Sequence, residues 1–148
     1  MQLSIKIDVN YEEPETLITT ARMTDEVNRI VDFINQTDAV TTIISGIKNN
    51  KVELLAQESL FRIYAEEGKV FAKTEYDFYQ LRLRLYELEK RLDDTLFVRI
   101  SNSEIVNLKK VKNLDLSFVG TICMELPNGD ISYVSRRYVS KIKRLLGL

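Results

Sequence analysis

The stretch Phe97-Val98-Arg99-Ile100-Ser101-Asn102-Ser103-Glu104-Ile105-Val106-Asn107 places a small polar cluster between two apolar segments. Residues 96–100 and 105–106 have the composition of short strands, and the serines and asparagine between them are typical turn residues. Asn107 is best interpreted as a structural turn residue after the second segment. The stretch therefore predicts two short strands joined by a turn, within a fold rich in β structure.

The sequence after this stretch continues with short strands and ends in a helix. Pro127-Asn128-Gly129 separates two alternating segments, and Asn-Gly is a strong hairpin signal because both residues tolerate positive φ. Ser135 is a suitable N-cap for a helix over residues 136–146, and Gly147 is a suitable stop. The predicted strands here are residues 111–116, 121–126 and 131–134.

The sequence before this stretch predicts five more strands and one helix. Gly46, Asn49-Asn50 and Glu66-Glu67-Gly68 supply turns, and leucines at helical spacing indicate an amphipathic helix over residues 83–92. Many short strands with two short helices predict a mainly antiparallel β domain, which we expect to occupy residues 41–148. The predicted strands are residues 43–47, 51–56, 60–65, 70–73 and 78–81.

Residues 1–40 are predicted to form a small strand–helix segment. Residues 3–9 alternate apolar and polar side chains, as in a strand with one buried face, and residues 16–20 are a second short strand candidate. Thr24 is a predicted N-cap for a helix that ends before a polar connector at residues 35–38. The segment either pairs two copies of the chain, for dimerisation or regulation, or packs on its own domain.

The composition excludes several classes of function. The 148 residues contain no His, no Trp and one cysteine, Cys123, which excludes Ser-His and Cys-His catalysis, His-ligated metals and thiolate zinc sites. None of the five glycines forms a phosphate-cradling loop. We therefore expect no enzyme activity, no metal and no cofactor. Since no apolar run has membrane-spanning length and no signal-peptide layout is present, a cytoplasmic protein is expected.

Charge is unevenly distributed along the chain, although the net charge is only −1. Residues 1–40 contain three basic and eight acidic side chains, whereas residues 96–148 contain nine basic and four acidic ones. This asymmetry indicates either that the C-terminal third meets a polyanion or that it presents a solvated basic face.

Two adjacent arginines at the predicted start of the last helix are the sharpest charged feature. Arg136 and Arg137 interact unfavourably with the helix macrodipole, and a bound phosphate would offset that cost. Arg is also the side chain that pairs with guanine O6 and N7. An ion pair with nearby carboxylates would explain the two arginines equally well.

Further candidate contacts occur in the predicted turns and loops. Asn102 has the donor and the acceptor that match adenine N6 and N7. Ser101 and Ser103 are candidates for phosphate contacts, or for the hydrogen bonds that hold a turn. The remaining basic candidates, which are either nucleic-acid contacts or solvated lysines, are Lys69, Lys109 and Lys110.

The 97–107 stretch resembles the signature of the LytTR DNA-binding domain family, in which a strand reading F-x-R-I-H-x-S-x-I-V-N precedes two more strands and a hairpin. The family's ending, L-x-N-G…V-S-R-R…L, is similar to Leu126-Pro127-Asn128-Gly129, Val134-Ser135-Arg136-Arg137-Tyr138 and Leu146-Gly147. The spacing agrees from about residue 42 to residue 148. Where many members have His at position 101, this chain has Ser101.

The resemblance implies a bacterial DNA-binding transcriptional regulator made of antiparallel β-sheets, whose loops enter successive major grooves of a repeat-containing promoter site. It implies base contacts from the 67–69 loop with Lys69, from Asn102, and from Arg137 with Arg136 beside it. Double-stranded DNA is then the partner, a homodimer is expected, and stand-alone members imply a membrane-protein inhibitor. Because about 40 residues precede the matching part, no receiver domain is expected. The alternative is a protein–protein interaction module that has lost DNA binding.

Overall fold

The structure is a computed structural model that describes residues 2, 4–10, 12, 14–41 and 43–148, and for residues 35–41 it describes the helical backbone alone. The chain divides into two compact units, residues 1–36 and residues 37–148. The predicted domain boundary at residue 40 stays a prediction.

Seven strands form the larger of two sheets in residues 43–148. They are β1 (Ile44–Lys48), β2 (Lys51–Leu55), β3 (Arg62–Glu66), β4 (Lys69–Lys73), β5 (Phe78–Leu81), β6 (Phe97–Ser101) and β7 (Glu104–Asn107). Their spatial order is β2-β1-β5-β4-β3-β7-β6, and every neighbouring pair is antiparallel. Each strand matches a predicted one with ends that differ by at most two residues.

A smaller sheet and two helices complete the same part of the chain. The smaller sheet consists of β8 (Asn113–Asp115), β9 (Ile122–Glu125) and β10 (Ile131–Val134), in the order β10-β9-β8, and is also antiparallel. The last helix has the predicted bounds and ends at Gly147, whose φ of 70° is left-handed. The two helices are α2 (Leu85–Arg91) and α3 (Arg136–Leu146). The prediction of a mainly antiparallel β fold is confirmed.

The larger sheet is covered by different elements on its two faces. On one face, Leu85 and Leu88 of α2 pack into a core that includes Phe97 of β6. On the other face, Val98 and Ile100 of β6 pack into a second core with the smaller sheet and α3. Because successive side chains of a strand point to opposite faces, β6 contributes to both cores and holds α2 and α3 on opposite sides of the sheet.

A network of charged groups joins the two sheets. The Arg62 Nη1 group of β3 donates to Glu104 Oε1 of β7 (3.0 Å) and to Ser132 Oγ of β10 (3.2 Å). Lys73 of β4 donates to the carboxylate of Asp130, directly before β10, at 2.7 Å. Arg62 Nε is buried, makes no hydrogen bond with any residue that the structure describes, and lies 3.6 Å from Asp130 Oδ2. Since these side chains are largely buried, the network fixes the smaller sheet against β3, β4 and β7.

Two predictions for the N-terminal residues are wrong. Residues 4–9 and 16–20 form no strand, and the remaining position of the first predicted strand, Leu3, lies outside the described residues. Ile5, Ile7 and Val9 are highly exposed. Their alternation with polar residues therefore does not correspond to a buried sheet face.

The N-terminal helix begins where the sequence predicts but extends further. α1 (Asp25–Thr41) is capped by Thr24, whose Oγ1 accepts the N–H of Val27 at 3.3 Å. The polar residues 35–38, predicted as a connector, are helical. Within residues 14–41 and 43–148, no helix combines the length and the apolar character needed to cross a bilayer.

Candidate nucleic-acid interface

Two turns lie side by side at one end of the larger sheet. The β3–β4 turn is formed by Glu67 and Gly68, and the β6–β7 turn by Asn102 and Ser103. The two meet because β3 and β7 are neighbours: the Ala65 N–H, near the end of β3, donates to the carbonyl oxygen of Ser103 at 2.8 Å. The structure therefore brings the predicted 67–69 loop next to Asn102.

The β3–β4 turn is fixed by its backbone conformation. Glu67 has a φ of 49° and Gly68 a φ of 74°, and two positive φ values give a two-residue turn the twist that antiparallel strands require. Lys69, the first residue of β4, is exposed and lies opposite Glu66 in the strand register. Because Glu66 and Glu67 lie in the same turn region as Lys69, the charge of this turn is mixed rather than basic.

The β6–β7 turn is built differently. Asn102 and Ser103 are both outside the positive-φ region, and the strand register shifts between Arg99 and Ser101. The Ser103 N–H donates to Ser101 Oγ at 3.2 Å, and the two hydroxyl groups lie 3.3 Å apart. The two serines thus form hydrogen bonds that hold the turn, which is one of the two roles that the sequence predicts for them. The exposed Asn102 side-chain amide has no hydrogen-bond partner within the described part of the chain.

Arg99 contacts the β6–β7 turn from the β6 side. Its Nε donates to the Ser101 carbonyl and its Nη2 to the Asn102 carbonyl, both at 2.6 Å. Its Nη1 donates to Glu89 Oε2 of α2 at 2.9 Å, and its side chain is only 14% exposed. The sequence predicts no role for Arg99, because its Glu89 partner is ten residues away on a helix whose orientation only the fold determines.

The start of α3 lies beside the end of β6. The Ser135 N–H, directly before α3, donates to the Ile100 carbonyl oxygen at 2.9 Å. Arg136 and Arg137 therefore begin the helix close to the β6–β7 turn, and both are exposed. Neither forms an ion pair with a carboxylate among the described residues. The predicted cap position of Ser135 is correct, although its hydroxyl makes no capping hydrogen bond.

The two arginines at the start of α3 have different surroundings. The guanidinium nitrogens of Arg136 lie against Gly120, which has a φ of 75°, so closely that a Cβ there would be 3.2 Å from them. The Arg137 guanidinium carbon is 5.7 Å from the ring centroid of Tyr138. A glycine in the 116–121 loop thus makes room for Arg136, which sequence spacing alone does not indicate.

Lys109 and Lys110 lie at the opposite end of β7 from Asn102. They follow β7 in a short 3-10 turn, and Lys110 Nζ is 5.6 Å from the ring centroid of Phe61. The buried Asn107 side chain is structural, since it donates to the Leu60 carbonyl and accepts the Lys109 N–H, both at 3.0 Å. A four-residue strand is about 14 Å long, so these lysines are not part of the group formed by Asn102 and Arg137.

Residues 50–147 match the family model of the LytTr DNA-binding domain. This chain belongs to the LytTR family. A protein named as an HTH-type transcriptional regulator of Staphylococcus aureus strain NCTC 8325 is 34% identical over 148 residues, covering 100% of this chain and 99% of that one. A protein of strain MRSA252 with the same kind of name is 33% identical with the same coverage. The predicted family is confirmed.

A solved structure is similar to most of this LytTR chain. It is the LytTr DNA-binding domain of a methyl-accepting/DNA response regulator from Bacillus cereus, with a TM-score of 0.69 and 23% identity, covering 72% of this chain and 97% of that one. At this identity the likeness establishes the fold. Although the Staphylococcus relatives are named for a helix-turn-helix, five strands separate α2 from α3 here.

Family membership establishes a DNA-binding regulator in general terms. The matched family is a DNA-binding one rather than an enzyme family. Among the described residues, no group of three or more His, Cys, Asp or Glu side chains could hold a metal ion.

Proposed function

We propose that this protein is a sequence-specific transcriptional regulator that reads base edges in the major groove with the β3–β4 turn, the β6–β7 turn and the start of α3. The proposal rests on one observation: Lys69, Asn102 and Arg137 belong to three segments that meet at one end of the larger sheet. Three polar or basic side chains on adjoining segments suit a groove lined with donors and acceptors.

The family resemblance implies loops in successive major grooves, and the proposal assigns the two adjoining turns to one of them. Neighbouring strands are about 4.8 Å apart, so the turns that adjoin through β3 and β7 enter one major groove about 12 Å wide. In this arrangement Arg137 pairs with guanine and Asn102 with adenine, while Lys69 and Arg136 contact base edges from the rim of the groove. A repeat-containing site then requires a second copy of the chain, one or two helical turns along the duplex, and a homodimer is part of the proposal.

Phosphate contacts make up the sequence-independent part of binding. The hydroxyl groups of Ser101 and Ser103 are at the tip of the β6–β7 turn and adjoin the proposed groove. The contacts proposed for Lys109 and Lys110 need a duplex that runs along the sheet from one end of β7 to the other. For a lysine that does touch a phosphate, its replacement by Ala reduces the salt slope of binding by about one.

The membrane-protein inhibitor stays an expectation that comes from the family resemblance alone. The described residues offer no contact from which such a partner could be argued. Pull-down of a co-expressed candidate, with and without residues 1–40, would test it directly.

The proposal is tested by selecting bound duplexes from random DNA and repeating the selection with Arg137→Ala. Loss of a bidentate guanine contact costs about 1–3 kcal/mol, or about 5- to 150-fold in affinity, and relaxes the preference at one base pair. Arg144→Ala is the matched control, because it removes the same charge from the exposed last turn of α3. An unchanged base preference for Arg137→Ala would contradict the assignment.

A second candidate function is a protein–protein interaction module. It is favoured by apolar side chains on one face of the larger sheet, since Val52 and Leu54 of β2 and Phe78 of β5 are each more than half exposed. Duplex binding at two salt concentrations separates the candidates. A regulator binds its selected sequence at both, whereas a module that has lost DNA binding shows no sequence preference at either.

A further inference from the structure

The β6–β7 turn lacks the backbone features that fix its neighbour. A two-residue turn without positive φ does not match the twist of its strands, and the register shift between Arg99 and Ser101 interrupts the strand pairing directly before it. The Ser101 carbonyl group, at the end of β6, and the Asn102 carbonyl group, in the turn itself, follow directly after this interruption. Their orientation determines where the Asn102 side chain projects.

The guanidinium of Arg99 lies against these two carbonyl groups. It binds the carbonyl groups of Ser101 and Asn102 with two different nitrogens, each at 2.6 Å. Because the guanidinium is a rigid planar fork, two simultaneous hydrogen bonds fix both carbonyl groups relative to the Arg99 side chain.

Glu89 fixes the guanidinium in turn. Its carboxylate accepts from the third nitrogen, Nη1, at 2.9 Å, and it belongs to α2, whose Leu88 is fully buried in the core. The turn is thereby connected through Arg99 to a helix that is packed against the sheet.

We propose that Arg99 is a positioning residue, held by Glu89, that sets base preference through Asn102 without touching DNA. The proposal rests on the base-reading role of Asn102. An arginine in a DNA-binding motif is usually interpreted as a phosphate contact. Here each of the three guanidinium nitrogens already has an acceptor within the protein, the charge is paired with Glu89, and only 14% of the side chain is exposed.

The first test uses the full chain without DNA. Arg99→Lys keeps the charge but replaces the fork with a single ammonium, so the turn loses one or both carbonyl contacts. NMR relaxation should show increased motion at the amides of residues 101–103 and no change in the β3–β4 turn. Arg91→Lys, on the exposed face of α2, is the control. An equally rigid turn in Arg99→Lys would overturn the proposal whether or not the protein binds DNA.

The second test uses the selected duplex and its single-base variants. Arg99→Lys should lower discrimination about fivefold or more at the base pair read by Asn102 and leave the other positions and the salt slope unchanged. In Asn102→Ala the same change should have no further effect at that position, because Arg99 acts through Asn102. Glu89→Gln, which keeps Arg99 in place, should give a smaller loss at the same base pair.

The outcomes separate this proposal from the proposed function. Uniform weakening on all sequences with a salt slope reduced by about one would make Arg99 a phosphate contact and overturn the positioning role. If the parent protein shows no sequence preference, the base-reading function fails, and the proposed control of base preference fails with it. The NMR result then decides only whether Arg99 orders the turn.

Discussion

The turns at Glu67–Gly68 and at Asn102–Ser103 each contain two residues and lie side by side, yet they are held by different means. The first is closed by two positive φ values, a backbone conformation that by itself suits a two-residue hairpin turn. In the second turn neither residue has a positive φ. Arg99 of β6 donates two hydrogen bonds to carbonyl groups of this turn region and a third to Glu89 of α2. A turn held by its backbone depends on a glycine, whereas a turn held by a side chain depends on residues elsewhere in the fold.

The largest expected effect compares the exposed side chains of the two turns. Asn102→Ala should cost about 1–3 kcal/mol of specific binding and remove the preference at one base pair, because a side chain on a fixed turn can pair with a base in a defined geometry. Lys69→Ala should cost less than about 1 kcal/mol and weaken the base preference only slightly, since the nearby carboxylates of Glu66 and Glu67 offset the charge of Lys69.

Both variants are measured by equilibrium binding to the selected duplex and to its single-base variants. Circular dichroism of each variant checks that the fold is retained. If Lys69→Ala abolished discrimination while Asn102→Ala did not, the β3–β4 turn would be the one that reads sequence.

The second prediction concerns Gly68. An Ala there must adopt a φ near 74°, which costs about 1–2 kcal/mol for a residue with a Cβ, although no atom of the described residues lies within 4 Å of the added Cβ. Urea unfolding of Gly68→Ala should therefore show a free energy of unfolding lower by about that amount. Ser103→Ala, in the other turn, is the comparison. It should change the free energy of unfolding by less than about 1 kcal/mol, since it removes about one hydrogen bond. Equal losses of unfolding free energy in Gly68→Ala and Ser103→Ala would mean that the two turns do not differ in how far they depend on backbone conformation.

The smallest expected effect concerns the charged network on the strands that flank both turns. Burial acts to raise the pKa of the Asp130 carboxyl, but the hydrogen bond and charge of Lys73 and the charge of Arg62 outweigh burial and hold that pKa below its ordinary value of 3.8. A lowered folded-state pKa gives stability that is present above pH 3.8 and is lost as the pH falls through the folded-state value.

Denaturant unfolding between pH 7 and pH 2 checks this expectation. Asp130→Asn should be less stable than the parent at pH 7, and the difference should shrink below pH 3.8, since the variant has no carboxyl group to protonate there. If the difference in unfolding free energy between Asp130→Asn and the parent stays constant from pH 7 to pH 2, ionisation of the Asp130 carboxyl group does not contribute to stability.

The sequence predicts the strands of residues 43–148 well because short alternating segments and turn residues are local signals. α3 is predicted with its correct bounds, since Ser135 and Gly147 mark its ends. The alternation in residues 4–9 is misleading because those side chains are exposed. The link from Arg99 to Glu89 and the separation of Lys109 from Asn102 could not be predicted, because both depend on how strands and helices are arranged in space.

A single residue, Ser135, joins β10 to α3, and its N–H is anchored to Ile100 of β6. Because this connection is one residue long, a change in the tilt of the smaller sheet also moves the start of α3 and the Arg137 guanidinium. The interior contacts between the two sheets therefore also determine the position of Arg137, and under the proposed function a substitution among them should weaken base reading without removing any contact to DNA.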